Sequence, residues 1–346
     1  MSVLTELFDE HSGWLASVLS EHPAGSRRVQ LADGTRVTLS ATGLVELRPS
    51  GQRDDSCREA LILSAGIHGN ETAPIEILDR LLTEMLQGQW SLACFALLIL
   101  GNPPAMRAGS RFVDTNLNRL FNGAHQRSEF SGLPEAKRAA LLESQCRNFI
   151  EQKAIRKTEL AVSHYDLHTA IRPSKREKFA LYPYQPQRQI RQAQLAFLQE
   201  ADIGTLLLQH SHATTFSAFT AKLGAESFTL ELGRVKPFGE NDHSHFRGIT
   251  NALRRRLSGG DPPSDNKKPV EIFRVVHEII NTGEDFILRV PDDAANFTRY
   301  QPGTVIWEDK RTCYRVGNQP EYIVFPNRNV PAGQRAGLML IPERQS

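Results

Sequence analysis

Cysteine is scarce in this chain: Cys57, Cys94, Cys146 and Cys313 are all that 346 residues contain. No two lie close together in sequence, which excludes a CxxC redox pair and a zinc knuckle. So few also exclude a disulfide scaffold and read as reduced thiols in a cytoplasmic protein. Long apolar runs are missing as well. The most apolar stretch, LACFALLIL from Leu92 to Leu100, is about half of the ~20 residues a membrane helix needs, so no membrane partner is expected. The opening segment MSVLTELFDEHSGW carries Glu6, Asp9 and Glu10 without a basic stretch, which does not make a signal peptide. Nor is there a surplus of one charge. Lys and Arg number 41 against 39 Asp and Glu, a formal net charge of +2. Bulk electrostatics therefore gives no reason to expect nucleic acid as a partner, and the triplet Arg254–Arg256 is too short to change that. A local cationic pocket stays compatible with this balance.

What remains is an ordinary globular composition, 40% hydrophobic and 23% charged, at a length that allows about two domains. No internal repeat is visible. The clearest break is SGGDPPSDNKK, Ser258 to Lys268, which has linker composition. After it, EIFRVVHEII, DFILRV, GTVIWED, EYIVFP and AGLMLIP are short segments rich in Val, Ile and aromatics, separated by Gly, Asn and Pro. They predict a small all-β module. Before it the pattern alternates. RVQLADGTRVTLSATGLVEL opens like a hairpin with a turn at Asp33-Gly34. ALILSAG, Ala60 to Gly66, suits a strand covered on both faces. A helix follows, with Thr72 as its expected N-cap, Pro74 in its first turn, Ile75, Leu78, Leu81, Leu82 and Met85 on one face, and Gly88 at its end. The Leu92–Leu100 strand, a turn at GNPP, helices near 133–153 and 189–201, and strands in AVSHYDLH, TLLLQ and SFTLEL complete an α/β pattern. The expected division is a catalytic α/β unit over 1–260 and a β-rich unit over 261–346.

The chemistry-bearing residues gather at strand ends. His68-Gly-Asn-Glu71 lies between a buried strand and a helix start, and a His and a Glu three apart can converge on one ion. Taken alone the spacing is weak, since a loop histidine next to a dipole-favoured glutamate looks the same. His168 ends the strand AVSHYDLH, with Asp166 on the same side by alternation. Glu231 stands near the end of SFTLELGR. Open α/β sheets bind ligands outside the carboxyl ends of their strands. A His2Glu set leaves a coordination position for water, the catalytic pattern, and a nearby carboxylate that is not a ligand supplies a general base. The segment Arg111-FVDTNL-Asn118-Arg119 offers what a site needs for carboxylates and a developing oxyanion, although surface arginines are common.

HGNET, RFVDTNLNR, DLHT and FTLELG, in this order, resemble the zinc carboxypeptidase superfamily, and more narrowly its branch of succinylglutamate desuccinylases and aspartoacylases. SAGIHGNETAPIEIL and FPNRNVPAGQRAGLML strengthen that resemblance, which covers nearly the whole chain. It implies a mixed central sheet flanked by helices, with a smaller C-terminal all-β domain that narrows the site. It implies one Zn2+ per subunit on His68, Glu71 and His168, with Glu231 as the catalytic glutamate. Arg111 matches the arginine that polarises the scissile carbonyl, and Asn118 and Arg119 match the pair that grips a substrate carboxylate. The activity implied is hydrolysis of N2-succinyl-L-glutamate, a small tricarboxylate, to succinate and glutamate, the last step of a bacterial arginine-degrading route. A hydrolase of another N-acyl amino acid, a small-peptide carboxypeptidase, and a non-catalytic zinc-binding protein on the same fold are the alternatives. Pure binding needs neither Glu231 nor Arg111, which weighs against the last. A homo-oligomer is compatible with everything above.

Other polar residues have blander expectations. The HxH pairs His210/His212 and His243/His245 read as loop residues more readily than as metal ligands. His164 reads as core or as support behind His168, and Asp166 as a partner for a ligand imidazole or for strand-end backbone donors. Lys222, Arg172 and Lys175 read as solvated cations, and Phe228 and Met85 as core.

Overall fold

The computed structural model describes residues 3–51, 57, 59–156, 160–186, 189–260 and 268–343. Its strands are β1 (Arg27–Gln30), β2 (Arg36–Ala41), β3 (Leu44–Arg48), β4 (Glu59–Ala65), β5 (Phe95–Leu100), β6 (Ala161–Ala170), β7 (Phe179–Tyr182), β8 (Thr205–Leu208), β9 (Glu226–Arg234), β10 (Glu271–Ile280), β11 (Ile287–Leu288), β12 (Thr298–Tyr300), β13 (Val305–Glu308), β14 (Cys313–Arg315), β15 (Glu321–Val324) and β16 (Arg335–Pro342). Thirteen of them form one mixed sheet in the order β1-β2-β3-β5-β4-β6-β9-β7-β8-β10-β16-β15-β12. The centre, β5-β4-β6-β9, is parallel. Every residue of β5 is buried, as are the last six of β4. Their unbroken apolar runs are what a strand covered on both faces requires.

The hairpin at Asp33-Gly34 forms, with Arg36 opposite Gln30. The helix Thr72–Leu86 buries Ile75, Leu78, Leu81, Leu82 and Met85, and Gly88 just beyond it takes a left-handed φ of 74°, the C-terminal conformation that favours glycine. Two local expectations fail. Glu71, not Thr72, holds the N-cap position. Thr72 is the first helical residue, and its hydroxyl is spent on Lys236 O at 2.6 Å while accepting from Asn241 at 2.8 Å. GNPP is not a bare turn. Asn102 caps the Ala105 N–H of a short helix, Pro103–Arg107, and two prolines suit its first positions, where no N–H is needed.

The C-terminal β segment is continuous with the central sheet. β10 runs parallel to β8, with Glu271 opposite Thr205, and antiparallel to β16. A separate three-stranded sheet, β11-β13-β14, packs against it through an apolar cluster that joins Ile306 and Trp307 of β13 to Ile279 of β10 and Met339 of β16. Of the expected linker, residues 261–267 lie outside the described residues. The helix Arg247–Ser258 ends just before them on a left-handed Gly259. Arg254, Arg255 and Arg256 pair with Glu84, Glu200 and Glu59 within the fold, so this basic triplet is structural. Among the described residues no helix is long and apolar enough to cross a membrane.

Candidate active site

Three strand ends build the site. β4 runs into Gly66, Ile67 and His68. β6 carries His168 beside Glu231 of β9, the two being register partners on adjacent parallel strands. Between β4 and the helix that begins at Thr72, the chain must pass close over the Pro103–Arg107 helix. Gly69 makes that approach possible, since a Cβ there would stand 2.2 Å from the Ala105 carbonyl carbon. Gly69 N–H donates to Arg111 O at 3.2 Å, so this contact also seats the loop of Arg111 against the His68–Glu71 loop.

His68, Glu71 and His168 are buried, and their ligand atoms converge within 4.8 Å of one another. It is the sole such group of three among the described residues. Glu71 Oε1 lies 2.8 Å from His68 Nδ1, and Oε2 lies 2.8 Å from His168 Nδ1 and accepts from Thr169 N–H at 3.1 Å. The outer nitrogen of each ring has its own acceptor: Asn116 Oδ1 for His68 Nε2 at 3.0 Å, and Asp166 Oδ2 for His168 Nε2 at 2.9 Å. Those acceptors hold the hydrogens on Nε2, so both Nδ1 atoms face the carboxylate of Glu71. Two imidazole nitrogens and one carboxylate on a shared point fit a zinc ion, with a position left for water.

The charges follow from burial and neighbours. Burial pushes His68 below its usual 6.5. Burial opposes the charge of Glu71, but His68 and His168 overcome it and hold that carboxyl well below 4.5. Burial likewise opposes charge on His168, yet Asp166 and Glu71 raise it well above 6.5. Glu231 behaves differently. Burial, assisted by Glu71 and Asp166 and opposed by His168 and Arg111, pushes it up to about 7. Its Oε2 is buried without a hydrogen-bond partner. A carboxyl with an unspent oxygen and a pKa near neutrality is suited to taking and returning a proton.

Arg111 is half-buried and places Nη1 2.8 Å from Glu71 Oε1, which spends one of its donors and leaves the rest of the fork for a ligand. Asn118 is buried. Its Oδ1 accepts from Phe216 N–H at 2.9 Å, so the NH2 end is the one that can donate to a carboxylate. Arg119 donates to Asn118 O at 2.9 Å, and its guanidinium is lowered to about 10, by burial first and then by Arg335 and Arg111. It nevertheless keeps solvent access.

Two residues escape sequence reasoning. Asn116 orients His68, and its only signal is an Asn one residue before a short turn, whose Asn118 N–H it also caps. Arg335 opens β16, paired opposite Ile280 and 3.7 Å from Glu278. It stands close enough to Arg119 for the two charges to repel. The C-terminal segment that holds it is fastened beside the site. Arg172 donates to the carbonyls of Asp292 and Ala294, and Asn296 exchanges backbone bonds with Pro173 and Lys175. Arg172 is thus a clasp on the loop after β6, and Lys175 and Lys222 are exposed. His210, His212, His243 and His245 are exposed and join no three-ligand group. Phe228 and Met85 are buried core.

A family model described as the Succinylglutamate desuccinylase/Aspartoacylase catalytic domain matches residues 57–257, and one described as the AstE/AspA barrel-sandwich hybrid domain matches residues 268–343. A succinylglutamate desuccinylase from Pseudomonas aeruginosa is 44% identical over 324 residues, covering 92% of this chain and 95% of the relative. Among solved structures, the desuccinylase from Vibrio parahaemolyticus matches with a TM-score of 0.88 at 32% identity over 98% of this chain and 96% of its own. That from Chromobacterium violaceum matches with a TM-score of 0.81 at 38% identity over 97% and 99%. The two domain matches follow one another along nearly the whole chain, and the relatives are covered end to end: the chain belongs to the succinylglutamate desuccinylase/aspartoacylase family.

Proposed function

We propose that this protein is a zinc-dependent amidohydrolase that cleaves N2-succinyl-L-glutamate to succinate and L-glutamate. The observation that carries the reading is the pairing of the His68–Glu71–His168 point with Glu231 one strand away, whose Oε2 is buried without a partner. The names of the 44% identical relatives supply the substrate. When bound, zinc would lower the pKa of a water and polarise the amide carbonyl. Glu231 takes the proton of the attacking water, and as the C–N bond breaks it gives that proton to the leaving nitrogen. Arg111 donates to the oxyanion that develops on the carbonyl oxygen, an interaction typically worth about 2.7–4 kcal/mol for one such donor. Arg119, with the Asn118 NH2, grips a carboxylate of the glutamate half. Arg335 is the third guanidinium in reach of a substrate that carries three carboxylates.

The same proposal divides the chain into a catalytic unit, 1–260, and a β-rich unit, 261–346, in keeping with family matches that stop at 257 and resume at 268. It places the protein in the cytoplasm, as the step in which a succinylated intermediate of arginine degradation releases glutamate. Free Cys57, Cys94 and Cys146, all buried, suit a reducing compartment. The test is a panel of N-succinyl-L-glutamate, N-acetyl-L-aspartate and short peptides, assayed with zinc-replete and chelated protein. Zinc-dependent hydrolysis of the succinyl compound above the others is expected. Absence of that hydrolysis would overturn the reading.

A further inference from the structure

One face of the central sheet is polar where core would be expected. Ser64 on β4, His164, Asp166 and His168 on β6, and Ser227, Thr229 and Glu231 on β9 alternate onto it by register. The helix Phe216–Lys222 lies across the same face with Ser217 and Thr220. Apart from Glu231, which is partly exposed, all of these are buried. Apolar side chains of similar size would pack there without the desolvation that buried polar groups cost. Such a network persists only with its hydrogen bonds satisfied.

The hydrogens in this network can be assigned one after another. Asp166 is buried, with the Ser64 hydroxyl 2.5 Å from its Oδ1 and the His168 Nε2 2.9 Å from its Oδ2. With a donor at each oxygen, the carboxylate accepts at both. Ser64 donates its single hydrogen to Asp166 Oδ1 at 2.5 Å. Its oxygen must then accept from His164 Nε2 at 2.8 Å. Burial pushes His164 down to about 4, so the ring is neutral, and with hydrogen on Nε2 its Nδ1 is an acceptor. Thr220 donates to it at 2.7 Å. The Ser217 carbonyl, at 3.1 Å from the same hydroxyl, is the longer alternative. Thr220 Oγ1 is left to accept from the Ser227 hydroxyl at 2.9 Å. At the other end, Asp166 Oδ2 takes the Nε2 hydrogen of His168.

We propose that Ser227, Thr220, His164, Ser64 and Asp166 form a one-way hydrogen-bond relay that fixes the metal-accepting tautomer of His168, so that a hydroxyl on the Phe216–Lys222 helix helps to set zinc affinity. The proposal rests on the metallohydrolase reading above. Ser64, His164 and Thr220 are positioning residues, because each acts through Asp166 and none touches the ligand point. The relay has a direction. Reversing it would leave Asp166 Oδ1 without a donor and two lone pairs facing each other at Ser64 or at His164.

The measurement is zinc dissociation from purified metal-free protein in competition with a chromophoric chelator. Ser64→Ala should weaken zinc by on the order of tenfold, the lower end of the usual loss when an outer partner of a ligand is removed. Thr220→Val should weaken it too, and Thr220→Ser, which keeps the hydroxyl, should restore it. Ser64→Ala with Thr220→Val should bind no more weakly than Ser64→Ala alone, since a break upstream cannot act past a missing link. Unchanged affinity in Ser64→Ala, or a double variant that loses the product of the two single effects, would overturn the relay and leave the hydrolase reading standing. If Ser64→Ala does not fold, the Thr220 pair decides: equal affinity in Val and Ser variants would overturn the relay. Wild-type protein that takes up no zinc would overturn both.

Discussion

The ligand corner and the arginines beside it, a wall of guanidinium groups, are built on opposite plans. At His68, Glu71 and His168, ring nitrogens and carboxylate oxygens are engaged, and their supports at Asn116 and Asp166 are engaged in turn. At Arg111, Arg119 and Arg335, each guanidinium has an anchor and donors to spare. Arg111 leans on Glu71, Arg119 on a backbone carbonyl, and Arg335 lies 3.7 Å from Glu278. The corner stands on strands that neighbour each other in the sheet centre, where burial fixes geometry. The wall is drawn from a loop after β5 and from β16, beyond the β8–β10 junction. A point able to hold a metal ion needs the first plan, because its ligands must be preorganised. Recognition of a flexible polyanion needs donors that are held but not saturated.

Breaking the corner should cost most. His168→Ala, or chelation of the wild type, should reduce turnover to background, with zinc stoichiometry followed by elemental analysis. Full, tight zinc in His168→Ala would remove that residue from the ligand set. Glu231→Gln should come next, losing about 10^2–10^4 in kcat, the usual range for a positioned acid–base group, while retaining zinc. The same change has a second consequence. A folded-state pKa raised to about 7 by burial means that the protonated form favours folding, and that this contribution is lost as pH rises toward 7. Metal-free Glu231→Gln should therefore melt higher than metal-free wild type at pH 8. A lower melting temperature would argue that the Glu231 carboxylate is structurally satisfied.

Damage to the wall should be smaller and should appear in substrate affinity. Arg119→Met and Arg335→Met each delete a charge-assisted interaction worth about 1.5–3 kcal/mol, or roughly tenfold to a hundredfold in KM. Arg335→Met should also compress the preference for N-succinyl-L-glutamate over its side-chain or succinyl amide. Unchanged selectivity against both amides would take Arg335 out of substrate recognition. The mildest perturbation is pH itself. Glu231 must be ionised to act as base, so kcat/KM should decline about tenfold per unit on the acid side. A bound dication would bring the midpoint to about 7 or below. The decline should vanish from the residual activity of Glu231→Gln, and its persistence there would assign it to another group.

Some elements were legible because their physics is local. An uninterrupted apolar run made β4 and β5 readable, a 3.6-residue apolar period with Gly88 behind it fixed the Thr72–Leu86 helix, and alternation put Asp166 and His168 on one side. The short elements were not legible. The helices Trp14–Leu19 and Phe216–Lys222 and strand β7 are too brief to carry a period, and they form on tertiary support: the first packs on the Thr72–Leu86 helix, the second on β6 and β9, and β7 pairs between β9 and β8. Thr72 was misplaced as a cap because its hydroxyl answers to Lys236 and Asn241, more than 160 residues away. Arg335 lies within FPNRNVPAGQRAGLML, a phrase that resembles the family as a whole, yet nothing local distinguishes it from any surface arginine.

By itself the sequence determined the class of architecture and the kinds of ligand, base and cation on offer, because strand burial, helix periodicity and donor chemistry are properties of neighbouring residues. The tertiary structure alone decided which atoms of those residues face one another. It placed His164 between Ser64 and Thr220, joined β10 to β8 so that Arg335 comes near Arg119, and left Glu231 Oε2 without a partner. Each of these depends on register between strands far apart in the chain, and a one-residue slip in any of them would turn the side chains to the opposite face.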